Sequence, residues 1–337
     1  MTQSGLAIST ADYHTAGEPF RIVTSGVDPI PGKTILEKRR YAVQHLDRIR
    51  QLLVFEPRGH ADMYGCFVTE AEDANADLGV VFFHNAGYST ACGHGTIALV
   101  TWALESGRLP RQEGANRVVV DAPSGRLETV AMVEGDRVAR VRFRNVPAYV
   151  HAVGLAIDTS AGRVTCDIAF GGAFYASVHA ADVGCEVMPR DLPRLIELGR
   201  EIKSVIEAGA EIVHPVVPEL RDVYGVIFFA DFGNRGGQLH QRNVTIFADG
   251  EVDRSPCGSG TSARLAILDA SGQLPAGATL VHESIIGTTF YGRVVGTSSV
   301  DGRSAVVTEV EGSAHGTGNH QFVLDAHDEL GTGFLLR

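Results

Sequence analysis

The sequence contains two cysteine-led segments that are copies of each other. Residues 92–110 read CGHGTIALVTWALESGRLP and residues 257–275 read CGSGTSARLAILDASGQLP, so nine of the nineteen positions are identical without a gap. In both copies a glycine follows the cysteine, and a run of helix length follows the glycine. This duplication predicts that Cys92 and Cys257 do equivalent chemistry in two related halves of the protein.

Each cysteine is predicted to lie at the N-terminus of a helix. The helix dipole and the unpaired backbone N–H groups stabilise an anion there, so the thiol pKa can fall below its free value of about 8.5. The glycines allow a ligand to approach the backbone closely, and the same N–H groups could bind a carboxylate. Two such bases facing each other across a cleft between two lobes could remove the α-proton of a chiral carboxylic acid from one face and return a proton to the other.

Other interpretations of the cysteine segments explain less. A single cysteine beside glycine is most often a small buried apolar residue, but duplication in a matching context argues against that here. The strings GHGTIA and GSGTSA match a dinucleotide-binding pattern, yet the acidic residue expected on a following strand is replaced by Glu113 in a loop-like stretch. A cysteine hydrolase that uses Cys92 would leave Cys257 without a function.

The remaining histidines and cysteines do not form a metal-binding pattern. The histidines of the first half lack HxxxH spacing and clustered cysteines, so no metal is expected at His14, His60, His84 and His94. The other cysteines lie in apolar, strand-like surroundings and are predicted to be packing residues: Cys66, Cys166 and Cys185.

The order of the elements predicts an α+β protein with two related lobes. Short β-patterns occupy residues 21–26, 52–57, 78–85, 117–123 and 139–147. Helical periodicity is confined to residues 37–53, residues 192–209 and the two cysteine segments. The second half repeats this theme, so we expect one lobe over 1–150 with Cys92 and another over 151–337 with Cys257. The C-terminal strands could return to the first lobe.

Composition narrows the class of protein. The chain has 337 residues, 44% of them hydrophobic, and a net charge of -11, without a basic run that would favour nucleic acid. The N-terminus lacks a signal-peptide pattern, and no stretch approaches the length of a membrane span. The five cysteines form no CxxC pair. We therefore expect a cytoplasmic protein with reduced thiols and without nucleic-acid or membrane partners.

Six segments along the whole chain resemble the proline racemase family. They are DYHTAGEPFRIV at 12–23, FEPRGHADMYG at 55–65, HNAGYSTACGHGTIAL at 84–99, DIAFGGAFYA at 167–176, DRSPCGSGTSARLA at 253–266 and ESIIGTTFYGRV at 283–294. The resemblance implies two pseudo-symmetric lobes of the diaminopimelate-epimerase type, each a β-barrel-like sheet around a central helix. It also implies a small imino acid substrate and catalysis without pyridoxal phosphate or another cofactor. The expected assembly is a homodimer.

The resemblance also implies a role for individual residues. Cys92 and Cys257 would be the acid–base pair, and Asp253 would contact the substrate amine. The backbones of four residues would hold the carboxylate: Gly93, His94, Gly258 and Ser259. Two aromatic walls would pack on the ring, Tyr64 and Phe247, and the Tyr64 hydroxyl could meet a ring hydroxyl. Ala16 and Ala86 stand where relatives often have glycine and glutamate, which we regard as second-order departures.

The choice of reaction within the family depends on the second cysteine. Dehydratases of the family usually have threonine at that position, so Cys257 favours inversion, whereas residues 37–65 look closer to the dehydratase branch. The first hypothesis is a racemase or 2-epimerase of proline or a hydroxyproline, with proline slightly ahead. The second is a trans-3-hydroxy-L-proline dehydratase that forms pyrroline-2-carboxylate. A non-catalytic amino-acid-binding module is the third.

Overall fold

The computed structural model describes residues 6–336, which divide into two compact units. Unit 1 consists of Met1–Thr15, Pro19–Val141 and Ser313–Arg337, and unit 2 consists of Ala16–Glu18 and Arg142–Gly312. Each unit contains one of the two cysteine segments. The domain assignment with a boundary near residue 150 stays a prediction.

Strands make up most of the described chain. In chain order they are β1 Ala7–Thr15, β2 Glu18–Ser25, β3 Tyr64–Thr69, β4 Leu78–His84, β5 Gly114–Ala122, β6 Gly125–Glu134, β7 Arg137–Arg144, β8 Tyr149–Thr159, β9 Gly162–Phe170, β10 Phe174–His179, β11 Val223–Arg235, β12 Gln238–Phe247, β13 Glu251–Asp253, β14 Thr279–Ser284, β15 Thr289–Val300, β16 Arg303–Gly312 and β17 Ala314–Val323. The helices are α1 Ile35–His45, α2 Asp47–Val54, α3 Gly93–Glu105, α4 Leu192–Gly209 and α5 Gly258–Ala270. Two short 3₁₀ turns, Ala180–Val183 and Pro189–Asp191, precede α4.

The strand pairings repeat between the two units. In unit 1, β2–β3 is parallel, β3–β4 antiparallel, β4–β5 parallel and β5–β6 antiparallel. In unit 2, β10–β11 is parallel, β11–β12 antiparallel, β12–β14 parallel and β14–β15 antiparallel. Helices α3 and α5 occupy the same place in this order, after β4 and after β12–β13. The duplication in the sequence is therefore a duplication of topology, and β2 corresponds to β10.

The segment 37–53, expected as one helix, is two. A capping box at Thr34 and Glu37 starts α1, and Leu46 ends α1 and starts α2 with φ -112° and ψ 6°. The predicted apolar face packs on the core of unit 1, where Leu53 is buried beside the partly buried Tyr41. The expectation of a strand over 52–57 is wrong, because Leu52, Leu53 and Val54 form the buried end of α2. A short run of apolar residues fits a buried strand and a buried helix end equally well.

The helices that start at the cysteines are buried on all sides. All residues of α3 from Gly93 to Leu104 are buried, and so are all residues of α5 from Gly258 to Leu268. Each helix lies among the strands of its own unit, α3 against β1 and α5 against β8, β9 and β16. A helix surrounded by sheet needs apolar or small residues all round, which explains why neither segment shows a polar stripe. Within residues 6–336, no helix is both long and apolar enough to span a membrane.

Candidate active site

Cys92 is the N-cap residue of α3. Its backbone is extended, with φ -154°, and its sulfur accepts a hydrogen bond from the Gly95 N–H at 3.2 Å. The ring of His94 lies beside the same sulfur, with Nε2 at 3.4 Å and Nδ1 at 3.6 Å from Sγ. Thr15 donates to the carbonyl oxygen of His94 at 2.8 Å and so fixes the first turn of α3 to β1. The Cys92 sulfur therefore faces one backbone donor and one imidazole.

An aromatic wall stands next to this turn. The Tyr64 ring, at the start of β3, meets the His94 ring edge to face at 5.0 Å, and Phe20 meets it in the same way at 5.7 Å. The Tyr64 hydroxyl is hydrogen-bonded to Ser89, and both residues are buried. Tyr64 thus lies beside the Cys92 turn, and its hydroxyl and Ser89 form a polar patch there. Its contact with a substrate ring stays a prediction.

Cys257 precedes α5 with a different backbone. It has φ 63° and ψ 109°, a positive φ that non-glycine residues seldom adopt and that marks functional sites more often than others. Its carbonyl oxygen accepts from the Thr261 N–H at 2.8 Å and from the Thr261 hydroxyl at 2.7 Å. Its N–H donates to Ser255 Oγ at 3.1 Å. The N–H and hydroxyl of Thr96 make the same two bonds to the Cys92 carbonyl oxygen, at 3.0 Å and 2.8 Å, so these bonds do not account for the positive φ of Cys257.

Asp253 is connected to Cys257 through Ser255. Its Oδ1 accepts from the Ser255 N–H at 2.8 Å and from the Ser255 hydroxyl at 2.6 Å. Asp253 is buried at the end of β13, where it pairs in register with Thr245 of β12. Phe247 lies two residues further along β12, and its ring stacks on Tyr224 at 5.5 Å. Unit 2 therefore contains Asp253, Cys257 and Phe247, and the role of Phe247 as a wall for the substrate ring stays a prediction.

The hydroxyl groups of Tyr175 and Thr245 lie beside the Cys257 sulfur. Tyr175 Oη, on β10, lies 3.8 Å from Cys257 Sγ and 2.7 Å from Ser259 Oγ. Burial raises the pKa of Cys257, and the negative charge of Asp253 raises it further. The Gly260 N–H and the hydroxyls of Thr245 and Tyr175 lower this pKa. Burial dominates, so Cys257 is a protonated thiol near neutral pH.

A glycine is required at the same place in both turns. A Cβ at Gly95 would lie 2.6 Å from Cys92 Sγ and would also overlap the Phe20 ring. A Cβ at Gly260 would lie 2.9 Å from Cys257 Sγ and 3.1 Å from Ile227 Cδ1. The glycine three residues after each cysteine therefore makes space for the sulfur at the helix N-terminus.

The other cysteines and the histidines do not extend the site. All five cysteines are free, and Cys66, Cys166 and Cys185 are buried, as expected for packing residues. Burial raises the pKa of all three thiols. Within residues 6–336, no three His, Cys, Asp or Glu side chains are grouped so that they could hold a metal ion. The absence of a metal in the reaction stays a prediction.

Sequence reasoning missed four residues of these surroundings: Ser89, Tyr175, Thr245 and Ser255. Ser89 and Ser255 stand three and two positions before their cysteines, a spacing that could have marked them as turn residues. Tyr175 lies within the family segment 167–176, but nothing in its spacing points to Cys257. Strand pairing alone brings Tyr175 and Thr245 to α5.

Comparisons with known proteins show the family to which the chain belongs. Residues 10–335 match the family model described as proline racemase. The chain is 48% identical to a 3-hydroxyproline 2-epimerase of Burkholderia multivorans (strain ATCC 17616 / 249), over 98% of both chains. It is also 48% identical, over 98% of both chains, to a trans-3-hydroxy-L-proline dehydratase of Burkholderia cenocepacia (strain HI2424).

A solved structure supports the fold assignment. The crystal structure of a hydroxyproline epimerase from Agrobacterium vitis with bound trans-4-hydroxy-L-proline superposes with a TM-score of 0.91 at 33% identity. The match covers 100% of this chain and 97% of the other. The predicted α+β fold class with two pseudo-symmetric lobes is thereby confirmed.

Proposed function

The chain belongs to the proline racemase family, and we propose that it catalyses the 2-epimerisation of a 3-hydroxyproline without a cofactor. The observation that carries this proposal is the second cysteine, Cys257, at the head of α5 in the position that Cys92 has on α3. Sequence reasoning alone put proline slightly ahead. The relative named as a 3-hydroxyproline 2-epimerase moves the proposal to a ring with a 3-hydroxyl.

Binding would start at the substrate carboxylate. The first-turn N–H groups of a helix have no acceptor within the helix and bind anions well. We assign the carboxylate to the backbones of Gly93 and His94 on α3 and of Gly258 and Ser259 on α5. This contact withdraws electron density from the α-carbon and stabilises the negative charge that develops when the proton leaves.

Two proton transfers would complete the inversion. The Cys92 thiolate takes the α-proton from one face and becomes a thiol, while the Cys257 thiol gives its proton to the opposite face and becomes a thiolate. The imidazole of His94, 3.4 Å from the Cys92 sulfur, offers polar support for this thiolate. Asp253 accepts a hydrogen bond from the substrate amine. After one turnover the two cysteines have exchanged states and are ready for the reverse direction.

The ring would lie against Tyr64 and Phe247. Both are buried aromatic residues, and the apolar carbons of a pyrrolidine ring suit such walls. The Tyr64 hydroxyl and its partner Ser89 give the wall of unit 1 a polar edge. A ring hydroxyl could bind there, which favours a hydroxyproline over proline.

Dehydration is the second candidate, and the relative named as a trans-3-hydroxy-L-proline dehydratase favours it. Cys92 alone could remove the α-proton, and the C3–O bond would break as the 3-hydroxyl takes up a proton and leaves as water. The product is pyrroline-2-carboxylate. This reaction needs no proton on the opposite face of the α-carbon, so Cys257 would have a smaller role in it than in inversion.

A panel of L-proline, trans-4-hydroxy-L-proline and trans-3-hydroxy-L-proline tests the proposal. Optical rotation follows inversion, and product absorbance follows dehydration. We expect inversion of the 3-hydroxy substrate by protein treated with a chelator and hydroxylamine.

Dehydration of the 3-hydroxy substrate, with the other two optically unchanged, would favour the second candidate. Absence of hydrogen exchange at the α-carbon of all three compounds in heavy water would favour a non-catalytic binding module. Activity that returns only with added metal or pyridoxal phosphate would contradict the cofactor-free mechanism.

We further propose a reducing, cytoplasmic location and a homodimer. The five free, buried cysteines support the first part, because none of them forms a disulfide. Thiol titration of protein from the native source tests the redox state. Sedimentation equilibrium tests the homodimer, and a monomer mass would reject it.

A further inference from the structure

The two cysteines receive their polar partners from different elements. In unit 1 the imidazole of His94, on α3 itself, lies beside the sulfur, and β2 contributes Phe20, whose ring has no polar atom. In unit 2 the helix residue at the corresponding position is Ser259, and β10, the counterpart of β2, contributes Tyr175. His94 and Phe20 beside Cys92 thus correspond to Ser259 and Tyr175 beside Cys257.

We propose that Tyr175 is a positioning residue that stabilises Cys257 in both of its protonation states. When Cys257 is a thiol, its S–H donates to Tyr175 Oη, and the tyrosine hydroxyl donates to Ser259 Oγ. When Cys257 is a thiolate, the tyrosine hydroxyl donates to the sulfur, and the serine hydroxyl donates to Tyr175 Oη. The distances of 3.8 Å and 2.7 Å allow this change through hydroxyl rotation, without movement of heavier atoms.

This role rests on the proposed function, in which Cys257 alternates between thiol and thiolate. The thiolate is the costly state here, because the site is desolvated and Asp253 is nearby. A neutral hydroxyl that can donate or accept suits such a group better than a fixed cation. The hydroxyl of Tyr175 is itself hard to ionise, since burial, and then the nearby Cys257 and Tyr224, raise its pKa. It therefore stays a donor across the working pH range.

Alkylation of each cysteine measures the role directly. The thiolate displaces iodide from iodoacetamide, so below the thiol pKa the rate follows the thiolate fraction. Cys92 and Cys257 are each 5% exposed, which makes Cys92 an internal standard in the same molecule. In Tyr175→Phe we expect alkylation of Cys257 to slow about tenfold, as for a rise of one pKa unit, with the rate at Cys92 unchanged. Mass mapping of both peptides over a pH series gives the two rates.

Tyr149→Phe is the matched control. Tyr149 is also a buried tyrosine of unit 2, and its hydroxyl has no hydrogen-bond partner within the described part of the chain. The same chemical change there should leave both rates as in the wild type. An equal loss at Cys257 in both variants would overturn the proposal, as would an unchanged rate in Tyr175→Phe or an equal fall at Cys92.

Ser259→Ala tests the other end of the chain of hydroxyls. Without the serine oxygen, the Tyr175 hydroxyl has only the sulfur as acceptor in this cluster, so alkylation of Cys257 should stay equal to the wild type or rise. A loss as large as that expected for Tyr175→Phe would contradict the proposal. This variant decides the question even if Tyr175→Phe does not fold.

A turnover measurement separates this inference from the proposed function. In Tyr175→Phe the basic limb of the pH profile of kcat/KM should move up by about one unit, because Cys257 must be protonated to act as the acid and would keep its proton to higher pH. The titratable groups facing Cys257 are Asp253 and Tyr175, with Tyr224 behind Tyr175. If no substrate of the panel turns over but alkylation of Cys257 still depends on Tyr175, the positioning role holds and only the reaction is rejected. A parallel loss at all pH values would indicate a merely structural tyrosine.

Discussion

The turn at Cys92 and the turn at Cys257 share their sulfur, their glycines and a threonine that donates to the cysteine carbonyl oxygen, but they differ in backbone conformation and in the side chains beside the sulfur. Cys92 has extended backbone and an imidazole neighbour, whereas Cys257 has a positive φ, two neutral hydroxyls and a nearby carboxylate. The helices differ too, since α5 carries the buried Arg264, whose guanidinium stacks on Phe229 at 3.7 Å. A duplicated fold therefore preserves the two thiols at the helix N-termini, while each unit surrounds its own thiol with different groups.

Replacing either sulfur should have the largest effect. Cys92→Ser and Cys257→Ser should each reduce inversion by about a thousandfold, because a hydroxyl is too weak an acid to ionise near neutral pH. Dehydration of trans-3-hydroxy-L-proline would need only the first cysteine. An assay of both reactions in both variants therefore shows which cysteine each reaction requires. Cys185→Ser is the control and should keep its activity. Inversion that survives in Cys257→Ser would break the equivalence of the two turns.

Adding a methyl group beside each sulfur should have the next largest effect. Gly95→Ala places Cβ closer to its cysteine sulfur than Gly260→Ala does, and it also overlaps the Phe20 ring. We expect Gly95→Ala to cost roughly 2–3 kcal/mol of unfolding free energy and Gly260→Ala roughly 1 kcal/mol, as typical for overpacking. Denaturant unfolding measures both.

The control for the glycine variants is Gly209→Ala at the end of α4, where a Cβ meets no atom within 4 Å. It should be neutral or slightly stabilising. An equal cost for Gly95→Ala and Gly260→Ala would show that the two turns are packed alike.

Removing the charge of Asp253 should have a smaller effect, confined to one turn. Apart from burial, this carboxylate is what raises the pKa of Cys257, so Asp253→Asn should lower that pKa. Alkylation of Cys257 should accelerate by up to about tenfold at a fixed pH below the thiol pKa, while Cys92 keeps its rate. KM should rise, because the substrate amine would lose its negatively charged partner and keep only a neutral amide oxygen as acceptor. Slower alkylation of Cys257 would mean that the carboxylate acts mainly through Ser255.

Lowering the pH should have a smaller effect, a loss of stability that depends on one buried histidine, His282. Burial lowers the pKa of His282 to about 3, and the charge of Arg264 adds to this. Between about pH 6.5 and pH 3 the unfolded chain binds a proton at His282 that the folded chain does not, so stability falls as pH falls, by at most about 1.4 kcal/mol per pH unit. In His282→Gln this slope should become shallower. Unfolding curves between pH 5 and 7, roughly across the ordinary histidine pKa, measure the slope.

Much of the site could be predicted because its signals are local. The spacing of Cys92 and Cys257 to their glycines identifies the helix N-termini, and the duplication identifies two lobes. A chemistry shared by the two cysteines stays a prediction. The packing role of Cys66, Cys166 and Cys185 also follows from apolar neighbours along the chain. Such features depend on residues a few positions apart, so sequence patterns carry them.

Tertiary structure alone decided the support around each sulfur. Tyr175 and Thr245 lie far from Cys257 in the chain, and they reach it only because β10, β11 and β12 pair in register. Likewise, the pattern of residues 37–53 predicted one helix, whereas the structure has α1 and α2 with a break at Leu46. Contacts between distant segments follow from strand order and packing, which no local pattern encodes. The sequence by itself thus determined where the two cysteines stand at their helix N-termini, and the fold determined which groups surround each sulfur.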